Sequence, residues 1–185
     1  MNIRELAIQR RSIRKFRPEP ISRVTLETLV DITRLYPSGG NLQPLRFAIV
    51  TEKDQTDAIF ADLRWAMYLP DFTIAPHERP TAYIVLLRDD NISHGCKYDV
   101  GAASTLLMLA AAEQGIASCP IGNFHAGKMS KLLALPADLK PELVLALGYP
   151  AQESRVVEMQ DSVRYTEDEN GNILVPKRSL ESILW

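Results

Sequence analysis

A single domain of interleaved helices and strands is the fold class that the chain predicts, and three observations carry it. Residues 82–87 form an unbroken apolar run of strand length, as in a central strand covered on both faces. Residues 99–114 place Val100, Ala103, Leu106, Leu107, Ala110 and Ala111 at helical spacing, and Ala102, Leu109 and Ala112 make the other sides apolar as well. That pattern predicts a core helix buried all round. The 185 residues, 46% hydrophobic and 24% charged, suffice for one full core, and no linker, repeat or low-complexity tract divides them.

The remaining elements follow in chain order. Asn2 with Glu5 three residues on predicts a capping box opening a helix to about Gln9, with Ile3, Leu6 and Ala7 as its apolar stripe. A second helix begins after Ser22, buries Leu26, Leu29, Val30 and Thr33, and is stopped by Pro37. A proline-bounded loop covers 37–44, a strand 45–51 and an amphipathic helix 54–67. Pro70, Pro76 and Pro80 mark a long loop. Beyond the core helix, Gly115 suits a C-terminal cap. An extended stretch at 116–121, a short helix at 128–133 and a strand at 143–147 come next. The tail, 151–185, reads as a C-terminal arm: Asn170-Gly171 is a turn signal between 163–165 and 173–175, and Ser179 suits the cap of a last helical turn. With few core-spaced apolar residues, the arm is suited to embracing a partner more than to filling its own core.

Composition excludes several classes. The net charge of -2 argues against nucleic acid, and so does the lack of aromatics interleaved with the basic cluster, Phe16 excepted. No basic start leads into an apolar core, and the most apolar stretch, 100–112, is too short for a bilayer, so the expected location is cytoplasmic with no membrane partner. Cys96 and Cys119 form no Cys-x-x-Cys, and His94-Gly95-Cys96 lacks a second ligand pair, so no metal is expected. No Gly-x-Gly-x-x-Gly, phosphate-loop or Gly-x-Ser-x-Gly pattern occurs. Ser104 and Ser118 read as helix and strand residues, not nucleophiles.

Three segments remain for chemistry. Between residues 10 and 17 five of eight are basic: Arg10, Arg11, Arg14, Lys15 and Arg17. Guanidinium groups bind phosphate in bidentate fashion and Ser12 adds a hydroxyl. For Lys15 and Arg17 a solvated charged face is the simpler reading; for Arg10, Ser12 and Arg14 both readings stand. Pro37, Ser38, Gly39, Gly40, Asn41, Leu42, Gln43 and Pro44 form an amide-rich loop where backbone can approach a flat ring, with Asn41 and Gln43 matching a heteroaromatic edge. Taken alone it is an ordinary turn. Pro120-Ile121-Gly122 ends an apolar segment where a backbone N–H can reach a ring nitrogen, though such connections are also plain turns. Lys177 and Arg178 add a second basic pair. Together these suit one ligand with a phosphate on a polar tail and a flat head, which describes flavin mononucleotide (FMN).

In this order the segments resemble the nitroreductase family of FMN-dependent oxidoreductases. Arg10-Arg11-Ser12-Ile13-Arg14 is similar to its Arg-Arg-Ser-x-Arg segment, residues 37–44 to its Pro-Ser-x-x-Asn-x-Gln-Pro segment, and residues 99–103 to the start of its central helix. Residues 145–150 resemble its last core strand, and residues 176–179 its C-terminal basic segment. The resemblance implies an α+β fold, a mainly antiparallel sheet flanked by helices, built as an intertwined homodimer. By that resemblance Arg10, Arg11, Ser12 and Arg14 hold the phosphate, ribityl chain and pyrimidine edge, and Lys177 or Arg178 adds charge at the phosphate. Pro37, Ser38, Gly39 and Asn41 come from the other subunit, with Gln43 in the same loop. Pro120, Ile121 and Gly122 lie along the ring. Leu45 stands where relatives often carry an aromatic, and Gly122 where many carry an acid; both departures touch substrate choice, as does the segment 65–79.

The implied activity is reduction of the flavin by hydride transfer from NADH or NADPH, followed by reduction of a small-molecule acceptor such as a nitroaromatic or quinone. The flavin carries the redox chemistry. No side chain is a nucleophile, so no catalytic residue is assigned. By the same resemblance Arg14 is expected near flavin N1 and O2, where negative charge develops. Two rivals are a specialised flavin enzyme, for dehalogenation or flavin breakdown, and a non-catalytic FMN carrier or sensor.

Overall fold

A computed structural model describes residues 2–185. Four antiparallel strands make the central sheet: β1 (Leu45–Val50), β2 (Ala82–Asp89), β3 (Ala117–Ile121) and β4 (Leu139–Gly148), in the order β1-β2-β4-β3. β2 and β4 are interior, which explains why 82–87 is apolar throughout. Alternation splits their side chains between two cores. Ile84, Leu86, Leu145 and Leu147 pack with α2 (Arg23–Thr33) and α4 (Lys97–Glu113). Tyr83, Val85, Val144 and Ala146 pack with Ile59 of α3 (Lys53–Asp62) and Met129 of α5 (Ala126–Leu132). The fold is therefore α+β, with helices on both faces of an antiparallel sheet.

Several boundaries match the sequence reading. α1 (Ile3–Gln9) opens with the capping box: the Glu5 N–H donates to Asn2 Oδ1 at 3.0 Å and the Asn2 N–H to Glu5 Oε2 at 2.9 Å. Ser22 caps α2 by accepting the Thr25 N–H at 3.1 Å. Gly115 stands just past α4 with φ 71°.

Others are corrected. Of the α1 stripe only Leu6 is buried, and Ile3 and Ala7 are exposed. α2 ends at Thr33, ahead of Pro37, because the chain tightens into i→i+3 bonds from Leu35 to Ile32 and Tyr36 to Thr33. α3 ends at Asp62, well before residue 67. There Leu63 turns into the core and the Arg64 N–H donates to the Asn123 carbonyl at 3.1 Å, so tertiary contacts outweigh local propensity. α4 is not covered all round: Tyr98, Gly101 and Thr105 are exposed, Tyr98 by 95%.

The arm folds as a second sheet of β5 (Ser154–Glu158), β6 (Thr166–Glu167) and β7 (Ile173–Lys177), ordered β5-β7-β6. β6 and β7 are antiparallel across a turn in which Gly171 takes φ 78°; β5 runs parallel to β7. The pairing uses Thr166 and Glu167, so Tyr165 lies just outside the strand. Part of the arm does pack on its own chain: Gln152 and Ile173 are buried. Leu180, Ile183, Leu184 and Trp185 are exposed. The Ser182 N–H reaches Ser179 Oγ at 3.3 Å within a turn, not a helix. Among the described residues no helix is long and apolar enough to cross a membrane.

Candidate functional site

The basic segment is an extended strip sewn to the sheet. Ile13 and Phe16 are its buried anchors. The Ile13 N–H donates to the Ser118 carbonyl of β3 at 3.1 Å, the Phe16 N–H to Glu78 at 2.8 Å and the Arg17 N–H to Tyr149 at 2.8 Å. The Ala151 N–H returns a bond to the Lys15 carbonyl at 3.0 Å. Gly148 lets the strip lie this close, because a Cβ there would meet carbons of Phe16 at 2.8 Å. Fixing residues 13 and 16 fixes the basic residues between and before them.

Arg10 and Arg11 line a cavity of about 560 Å³, together with the start of β3 (Ala117, Ser118) and the arm from Gln152 to Val156. Glu153 is the acidic residue in its wall. Ser12 sits beside Ser118 on the edge of β3, and Arg14 is half-buried next to it. Arg11 is only 8% exposed; one guanidinium nitrogen donates to the Ala7 carbonyl, and its Nε is buried without a partner. Among the described residues no carboxylate pairs with Arg10, Arg11 or Arg14, whereas Arg46 and Arg79 each have one and Arg88 has two. Burial pulls the Arg10 guanidinium below its ordinary value, with Cys119 opposing. Burial and then the neighbouring Arg10 do the same to Arg11. Burial pushes the Cys119 thiol up to about 11 despite Arg14 and Arg10, which keeps it neutral and unreactive. The arrangement is a cluster of positive charge held at the protein edge with donors to spare, and its chemistry fits an anionic group such as a phosphate.

The amide-rich loop lies elsewhere. Ser38 Oγ donates to Asp99 Oδ1 at 2.5 Å and accepts the Gln43 N–H at 3.0 Å. Gln43 Nε2 donates to the Asn41 carbonyl at 3.2 Å and to Asn41 Oδ1 at 3.1 Å. Gly40, Asn41 and Gln43 are all left-handed, with φ 57°, 54° and 52°. The loop is thus pinned at Asp99 in the first turn of α4, while the arginine cavity touches Ala112 and Gly115 at the other end. Asp99 and Ala112 are thirteen residue steps apart on α4, roughly 20 Å along the axis. None of Pro37, Ser38, Gly39, Asn41 or Gln43 lines the cavity.

Pro120 and Ile121 end β3, and Gly122 follows in open space, where an added Cβ would meet nothing within 4 Å. Lys177 ends β7 opposite Glu158. Arg178 is turned to Ser182, donating through Nε at 3.2 Å. Neither lines the cavity. No group of three or more His, Cys, Asp or Glu suited to a metal occurs among the described residues.

Two residues beside Arg14 escaped the sequence reading. Gln152 Oε1 accepts the Arg14 N–H at 3.4 Å, and the Tyr165 ring lies 4.7 Å from the Arg14 guanidinium carbon. Nothing in the order of residues joins positions 14, 152 and 165; only the folding back of the arm does.

Comparison with known proteins places these features in a wider set. A model of the nitroreductase family matches residues 7–149. An Archaeoglobus fulgidus protein named as a candidate NADH dehydrogenase/NAD(P)H nitroreductase is 29% identical over 163 residues, covering 82% of this chain and 87% of the relative. An iodotyrosine deiodinase of Thermotoga neapolitana is 26% identical over 162 residues, covering 79% and 87%. The solved structure of an FMN-dependent nitroreductase from Clostridium difficile shares the fold, with a TM-score of 0.65, 21% identity and coverage of 83% and 89%.

Proposed function

The chain belongs to the nitroreductase family of oxidoreductases, and on that premise we propose that it binds FMN, takes electrons from NADH or NADPH and reduces a small acceptor such as a nitroaromatic or quinone. The observation that carries this reading is the set of arginines without carboxylate partners at the edge of β3. Arg10, Arg11 and Ser12 hold the phosphate and ribityl chain; Arg14 addresses the pyrimidine edge. Pro120, Ile121 and Gly122 offer the open floor for the ring. Lys177 and Arg178 add charge only if the exposed C-terminal turn shifts, since Arg178 now serves Ser182. When bound, the flavin supplies the redox chemistry. The residues bind and orient it, and the positive charge of Arg14 favours the reduced, more negative form.

On this reading the site takes residues from two copies of the chain. The loop 37–43 and the arginines sit at opposite ends of α4, too far apart to meet within one chain. α4 also exposes Tyr98, Gly101 and Thr105, with Ala102 and Leu109 only partly buried, as one stripe at spacings of three and four. Two such helices packed antiparallel about a two-fold axis bring the start of one beside the end of the other. Each loop then completes the partner's arginine site.

The purified protein should be yellow, release FMN and bleach on anaerobic addition of NADH or NADPH. Recovery of FAD, or failure to bind added FMN, overturns the assignment. Mixing Arg10→Ala/Arg14→Ala chains with Ser38→Ala/Asn41→Ala chains and exchanging subunits should restore one intact site per hybrid dimer. No recovery of flavin binding rejects the shared site. The likeness to an iodotyrosine deiodinase favours reductive dehalogenation as the second reading, and halide release from halophenols separates it from nitro reduction.

A further inference from the structure

Resting on the FMN reading, we propose that Tyr165 of the arm is a positioning residue for Arg14, setting the guanidinium that faces the flavin. The two sides of Arg14 are both tied to the arm. Its backbone N–H reaches Gln152 Oε1 at 3.4 Å, and Gln152 Nε2 donates to the Gly171 carbonyl at 2.9 Å, in the turn between β6 and β7. Its guanidinium carbon stands over the Tyr165 ring, 4.7 Å from the centroid. Tyr165 is itself held from behind. Its ring packs on Tyr68 at 5.0 Å and 57°, its hydroxyl accepts the Tyr68 N–H at 3.5 Å, and the Arg164 guanidinium lies 5.6 Å from the Tyr68 ring. The stack therefore runs Arg14, Tyr165, Tyr68, Arg164, two rings between two cations, and joins the basic strip, the arm and the segment 65–79.

The choice of an aromatic partner has a consequence for the ligand. A carboxylate would hold Arg14 by consuming its N–H groups and cancelling its charge. A ring holds the cation through its π face and leaves the charge uncancelled. Only Nη1 has a hydrogen-bond partner, the Ser12 carbonyl at 3.4 Å; Nε and Nη2 have none among the described residues. Arg14 is thus placed while keeping donors for a ring edge, and the rotamer freedom of a long side chain is lost before the ligand arrives rather than on binding.

The test uses the full chain as Tyr165→Leu and Tyr165→Phe, each with and without Arg14→Ala. Three quantities are read: apo-protein melting, FMN dissociation constant by flavin fluorescence, and midpoint potential of the bound flavin. Tyr165→Leu should weaken FMN about fivefold and make the potential more negative, because the charge near the reduced ring is less well held. Tyr165→Phe keeps the π face and should restore both. In the Arg14→Ala background Tyr165→Leu should change neither. If Tyr165→Leu does not fold, Tyr165→Gln replaces it with the same expectations. Wild-type affinity and potential in Tyr165→Leu, or an equal effect with and without Arg14, overturns the positioning role while leaving FMN binding intact. Failure of the wild-type chain to bind FMN overturns the flavin reading itself, a different result.

Discussion

Two groups of arginines in this molecule are built on opposite terms. Arg88, on β2, lies between Asp90 at 2.7 Å and Glu142, and the hydrogen bond to Asp90 raises its pKa above the ordinary value. Arg10 and Arg11, at the β3 edge, have no carboxylate, and burial lowers theirs. Folding alone satisfies the first group. The second carries an electrostatic cost that a bound anion would remove. A cost kept in the folded chain and relieved by a ligand is the physical signature of a binding site, and it singles out these arginines more sharply than their number does.

The largest expected effects break this contrast directly. Each charge-assisted contact to a phosphate or ring is worth about 1.5–3 kcal/mol. Arg10→Ala or Arg14→Ala should therefore weaken FMN binding about tenfold or more, and together about a hundredfold or more if the sites are independent. Arg10→Ala should leave the melting temperature of the apo-protein unchanged, because it removes no ion pair, and Arg14→Ala should lower it only slightly, through the lost contact with the Tyr165 ring. Arg88→Ala should do the reverse, leaving FMN affinity unchanged and lowering the melting temperature. Its effect depends on pH. The Arg88 hydrogen bond holds the Asp90 carboxyl below its ordinary value, so the pair stabilises the fold above the ordinary carboxylate range. That contribution fades as pH falls through the lowered value. Melting curves of the variant should lose part of their acid dependence below about pH 4 relative to wild type, the rest remaining with carboxylates such as Asp57 and Asp168.

Gly148→Ala comes next, and it tests whether the arginine strip depends on its seat. A methyl group there would stand 2.8 Å from carbons of the fully buried Phe16. Relief requires Phe16, and with it residues 12–17, to shift. A loss of about 1–3 kcal/mol in denaturant unfolding is expected, with weaker FMN binding in the surviving fold. Unchanged stability would show that the strip is looser than its hydrogen bonds to Ser118, Glu78 and Tyr149 imply.

Much of this was legible in the residue order, and the misses share a cause. The apolar run at 82–87 fixed an interior strand because only an interior strand tolerates that pattern. The capping box at Asn2 and Glu5 and the cap at Ser22 were local chemistry and came out as read. The helix expected at 54–67 failed because Leu63 and Arg64 have long-range partners, in the core shared with Met129 of α5 and at Asn123. The apolar pattern of α4 predicts burial all round, but Tyr98, Gly101 and Thr105 are exposed; such a pattern reports that a face avoids water, not what covers it. At the site, the arginines announced themselves by charge density. Their lack of acidic partners, and the Gln152 and Tyr165 contacts to Arg14, depend on where the arm returns, which no local pattern encodes.

Ser38→Ala probes the far end of α4. Its hydroxyl is a donor to Asp99, a carboxylate only 9% exposed, and an acceptor for the Gln43 N–H. Removing it leaves both partners short of a bond at a cost of about 1–3 kcal/mol, in part local to the loop. Because the loop serves the neighbouring copy's flavin in the proposed dimer, FMN affinity should fall about tenfold although the residue lies roughly 20 Å from its own arginine cavity. Full FMN affinity in a destabilised Ser38→Ala dimer would confine the loop to a structural role.

The smallest effect is expected at Lys15, one residue beyond Arg14 and equal to it in charge. If a generic basic surface attracted the ligand, the two would be interchangeable. The structure gives them different surroundings. Lys15 stands 5.4 Å from the Phe72 ring and gives its carbonyl to the Ala151 N–H, a backbone bond that substitution retains. A cation–π contact this long between half-buried side chains is worth about 0.5–1 kcal/mol. Lys15→Ala should therefore change FMN affinity by less than about threefold, with a small loss in melting temperature. Salt separates the two cases further. A screened surface charge loses its influence at high ionic strength, whereas a direct guanidinium contact keeps most of it. Measuring FMN binding of both variants at low and high salt should thus leave the Arg14→Ala deficit in place and erase whatever small deficit Lys15→Ala shows. Equal deficits at both positions, vanishing together in salt, would reduce the arginine site to surface charge.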